Sequence, residues 1–68
     1  MTEKIDAIVD RTIAHTREQL ESSRVEWSDA RVGIERIHDS LAVDAAGHPA
    51  LDRLQDFIAD QDRLRRDH

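Results

Sequence analysis

The chain reads as all-α, and three observations carry that prediction. Nothing in it alternates apolar and polar residues with period two over a strand length. Apolar residues recur instead at three- and four-residue spacings throughout. The punctuation is helical: the one proline stands two residues after a glycine, in Gly47-His48-Pro49.

The first helix is expected to open at Thr2, a good N-cap, with Glu3 and Asp6 favouring the positive end of the helix dipole. From Val9 the apolar track runs through Ile13, Thr16, Leu20, Ser23, Trp27, Ala30, Ile34, Ile37 and Leu41, separated alternately by four and three residues. That is an unbroken heptad pattern. No glycine or proline interrupts it before Gly33. A turn between two helices need not preserve such a phase, so the continuity predicts one long helix over about 3–45. At roughly 1.5 Å per residue it would be about 65 Å long. A competing signal is Ser23-Arg24-Val25-Glu26, which fits a capping box and would start a new helix there.

The segment Gly47-His48-Pro49 closes one helix and opens the next. Gly47 suits the left-handed residue after a helix, His48 the N-cap, and Pro49 the first helical position, where a missing N–H is no loss. The last helix then covers about 49–66, with Arg63, Arg65 and Arg66 set against its negative end. Its apolar arc is Leu51, Leu54, Phe57, Ile58 and Leu64, and Gln61 falls inside the arc, where it reaches solvent.

The expected architecture is therefore a helical hairpin of one long helix and a shorter antiparallel one. The short helix would leave the Val9–Trp27 seam uncovered, so a second chain, most simply in a dimer, would complete it. The alternative is a compact three-helix bundle with a break near 22–24, in which the helices cover one another. Either way the 68 residues form one domain, and a core of this size rarely supplies more than about 3–5 kcal/mol.

Composition narrows the function. There is no cysteine, which excludes a disulfide framework or a thiolate metal site. A net charge of −5 argues against dedicated nucleic-acid binding. No apolar run could span a membrane, and no leader is evident, so the expected location is cytoplasmic. Nine arginines against one lysine is the bias of a GC-rich bacterial or phage coding sequence.

Chemistry-bearing motifs are sparse. His15/Glu18 and Glu35/His38 have the spacing of carboxylate-bridged metal bundles. On a helical wheel, however, Glu35 lies about 130° from the apolar face and His15 about 100° from it, so neither pair projects into the core together. His38-Asp39-Ser40 holds the residue types of a nucleophilic relay, but neighbours on a helix diverge by about 100° and cannot form one. No phosphate loop or nucleophile elbow occurs. The sequence thus predicts no catalytic residue, no metal site and no cofactor.

The remaining reading is a non-enzymatic protein–protein interaction module: an adaptor, small chaperone, inhibitor or regulatory subunit. Ile13, Leu20, Trp27, Ile34, Ile37 and Leu41 are its expected self-association residues. Val25, Val32 and Val43 form a second stripe facing nearly opposite, available to a further partner. Asp52, Asp56 and Asp60 recur at i, i+4, i+8, an arrangement that weakens a helix by a few tenths of a kcal/mol per pair. They suggest either a basic partner or an acidic mimic that occupies a nucleic-acid-binding protein. Gly33 stands inside the predicted helix, where glycine costs about 1 kcal/mol relative to alanine. Close approach of another backbone would account for it.

Overall fold

The computed structural model describes residues 2–66, with side chains from Lys4 to Arg66. Its elements are three helices: α1 (Thr2–Glu21), α2 (Trp27–Ala45) and α3 (Pro49–Arg66). The expected capping by Thr2 and Glu3 involves side chains outside those described.

The long helix over 3–45 is not what forms. The chain turns at 22–26, and the device is a Schellman closure centred on Ser23. Ser23 adopts φ 57, the left-handed region. The N–H of Arg24 donates to the Gln19 carbonyl (2.9 Å), and that of Ser23 to the Leu20 carbonyl (3.2 Å). The Ser22 Oγ also donates back to the Glu18 carbonyl at 2.7 Å. Ser23 is therefore the residue that closes α1, and the capping-box role expected for it is corrected. The cap of α2 is Glu26, with extended backbone and no side-chain cap bond. A left-handed non-glycine residue costs about 1–2 kcal/mol. Folding α2 back offsets this, because both helices can then lie against α3. The long dimension of the molecule is 38 Å.

The second turn follows the glycine–proline punctuation. Gly47 has φ 83. The His48 Nδ1 accepts a hydrogen bond from the Ala50 N–H at 3.0 Å, so His48 caps α3 with its imidazole.

The order of packing follows from two cross-links. Arg53, near the start of α3, donates to Asp6 (3.1 Å) and Asp10 (3.2 Å) in the first half of α1, so α1 and α3 run parallel. Trp27, the first residue of α2, donates from Nε1 to Asp62 near the end of α3 (2.7 Å), so α2 runs antiparallel to it. The core is Val9 from α1, Ile34 from α2, and Ala50, Leu51, Leu54, Phe57 and Ile58 from α3. Most of it comes from one helix, and α3 is thus the element on which the other two are laid. Thr16, on the small column of the apolar track, is also buried. With Val9 fully buried and Trp27 packed against the core within its own chain, that seam does not need a second chain to cover it. No helix is long and apolar enough to cross a membrane among the described residues.

Candidate functional site

Each seam of the bundle has its own chemistry. Where α2 meets α3, the Trp27 and Phe57 rings stand edge to face, 6.2 Å apart at 80°. Asp62 accepts from Trp27 on one oxygen, and its other oxygen lies 3.4 Å from Arg31. Arg65 stacks over Trp27 (5.3 Å) and Arg17 over Phe57 (5.5 Å). Arg65 also donates to the Gln61 Oε1 at 2.6 Å, so Gln61 is satisfied where the arc reaches the surface. Where α1 meets α3, Arg53 lies between two carboxylates. The hydrogen bond it donates to Asp6, followed by the charge of Asp10, raises the pKa of its guanidinium despite the opposing effect of desolvation.

The third seam is different. Between α1 and α2 lies an open cleft of about 540 Å³. Thr12, Thr16, Val25, Ala30, Ile34 and Ile37 line it, with Gly33 among them. Arg11 and His15 stand on its α1 rim, and Asp29 on its α2 rim. The walls are apolar because the α2 residues flanking Ile34 are small, which leaves room that no side chain of α1 fills. A chain of two helical layers would bury this surface; here α3 lies on the other side of the bundle.

Against this frame of three seams the expected residues divide. Ile34 is buried, and Ile13, Trp27 and Leu41 pack against the core cluster of their own chain. Leu20 is half-buried beside Arg17, Leu64 and Arg65. Of the six residues expected in self-association, Ile37 alone is exposed, at the mouth of the cleft. Val25 enters the cleft wall, whereas Val32 (50% exposed) and Val43 (83%) face outward along α2.

The acidic stripe is present but interleaved. Asp52, Asp56 and Asp60 are exposed on α3. Arg63 pairs with Asp60 at 2.6 Å, and Arg53 stands between the stripe and the α1 carboxylates. The face is a mixed-charge surface rather than a continuous acidic one.

The histidine–carboxylate pairs do not converge. Glu35 is held by Arg31 at 3.0 Å, and His38 faces Asp39 (3.4 Å) and Gln55 (3.2 Å). Among the described residues, no three histidine or carboxylate side chains gather as a metal ion would require. Asp62 and Arg31 are the contacts that sequence reasoning missed. Their signal was faint: an acid directly before the first of the end-of-helix arginines, and an indole N–H in an apolar track that needed an acceptor.

The class defined by this geometry is a three-helix bundle with two closed seams and one open. Comparison with known proteins finds no family model, no curated protein and no solved structure that matches the chain.

Proposed function

We propose that this chain is a non-enzymatic helical interaction module that docks a protein helix in the cleft between α1 and α2. The single observation that carries the reading is the cleft itself: apolar walls, small residues on α2, and charge confined to the rim. A groove of that make-up suits an amphipathic helix, which contributes apolar anchors to the walls and polar contacts to the edges. Ile37 and Val25 are the apolar residues of this chain that such a helix would touch first. Adaptor, chaperone, inhibitor and regulatory subunit all act in this manner. The acidic-mimic alternative has less support, because Arg53 and Arg63 interrupt the carboxylates it would rely on.

The test is photo-cross-linking in the native host. A photoreactive residue at position 25 or 37, on the cleft, should capture a protein, this chain or another, whereas the same residue at position 59, on the exposed side of α3, should not. Equal capture at all positions, or none at any, overturns the reading. Circular dichroism of each variant establishes that the bundle is intact.

A further inference from the structure

Gly33 stands midway along α2 with open space above it. A Cβ placed there would meet nothing within 4 Å beyond its chain neighbours and the backbone of its own helix. It does not hold the left-handed conformation that Gly47 does. Neither a turn nor internal packing explains a glycine here, although one inside a helix lowers helix stability. Its neighbours on the outer face of α2 have an order that does. Towards the N-terminus come Ala30 and Asp29; towards the C-terminus come Arg36 and Ile37. Small is matched by large, and acid by base, at nearly equal distances on either side of the glycine.

We propose that α2 packs antiparallel against α2 of a second copy of this chain, with the two Gly33 residues meeting at the two-fold axis. This rests on the reading of the cleft as a docking surface and names its occupant. Because a two-fold interface brings the same patch together from both chains, it demands self-complementarity. The order about Gly33 supplies it. Antiparallel pairing sets Ile37 over the partner's Ala30, on the cleft wall, and does so twice. It also sets Asp29 beside the partner's Arg36, again twice. Glu26 then faces the partner's Ser40, so no like charges oppose.

Other arrangements lack this fit. Parallel pairing would set Asp29 against the partner's Asp29 and Arg36 against the partner's Arg36. A foreign helix would give no reason for the sign of charge to reverse about the glycine. Within the chain, neither Asp29 nor Arg36 has an ion-pair partner among the described residues, whereas Arg31, Arg53 and Arg63 all do. Ile37 is 36% exposed, and the two-fold places one copy of it at each end of the contact.

The experiment is sedimentation equilibrium from micromolar to millimolar protein. The full chain should reach twice its 7.8 kDa mass. Asp29→Arg alone and Arg36→Asp alone each place like charges at both contacts and should weaken association at least tenfold. An equimolar mixture of the two variants restores both contacts and should dimerise. The double variant Asp29→Arg/Arg36→Asp should self-associate as the parent does. Gly33→Ala should raise the Tm of dilute, monomeric protein while weakening the dimer, a pair of opposite effects that a merely tolerated glycine would not give. A parent chain that stays monomeric at millimolar concentration overturns the proposal. So do single reversals that dimerise as tightly as the parent, or a Gly33→Ala variant with unchanged association. If the parent is monomeric while cross-linking through positions 25 and 37 captures a foreign protein, self-pairing fails and the docking module stands.

Discussion

The two sides of this bundle are built on different terms. Around α3, apolar burial is closed by directional polar contacts: Trp27 on Asp62, Arg53 on Asp6 and Asp10, and cations over both aromatic rings. Between α1 and α2 there is burial at Ile34 and Thr16, then an open cleft and no side-chain bond from one helix to the other among the described residues. Closed packing and open surface are thus separated in space. One helix organises the core, and that frees a face of α2 from any internal duty.

Mutations test that contrast. The largest effect belongs to Leu54, which is fully buried. Leu54→Ala should cost about 2–5 kcal/mol. Against a total of about 3–5 kcal/mol for a core of this size, most of the chain should unfold at 25 °C, read as loss of helical circular dichroism. Next comes Asp62→Ala, which orphans the Trp27 N–H and removes a partner of Arg31. It should cost about 1.5 kcal/mol, measured by urea unfolding, with Trp27 fluorescence reporting the loss locally. Asp62→Asn keeps an acceptor and should lose less.

The turns give smaller effects of opposite sign. Gly47→Ala places a side chain at φ 83 and should destabilise by about 1 kcal/mol. Ser23→Gly relieves the same strain at φ 57 and should stabilise by up to about 1 kcal/mol. If Ser23→Gly destabilised instead, the closure of α1 would not be the one described. Smallest of all, Val32→Ser on the outer face of α2 should change the stability of dilute protein by less than about 0.5 kcal/mol. A loss comparable to that of Leu54→Ala would show that the open side is part of the core after all.

Much of this was legible beforehand. The helical period, the Gly47-His48-Pro49 turn and the span of α3 were all readable because each depends on local backbone preference. Most of the track from Val9 to Leu41 does face the core, with Ser23 and Ile37 the exceptions. Its continuity nevertheless misled. Heptad phase is preserved across 22–26 because both α1 and α2 must present their apolar stripes to the same helix, and a tight closure at Ser23 keeps them in register. The same stripes that suggest a coiled-coil seam between chains serve as the two walls around α3. Of the expected surface residues, Val32 and Val43 are readable as exposed valines on a second face, while the cleft at Val25 and Ile37 is not.

Helix content, the position of the second turn and the set of residues apolar enough to seek burial follow from spacing and from single-residue backbone preferences. Where the long track breaks and which seam stays open are properties of the assembled bundle. Both depend on a comparison no local pattern contains: the strain of one left-handed serine against the burial obtained by laying two helices on a third.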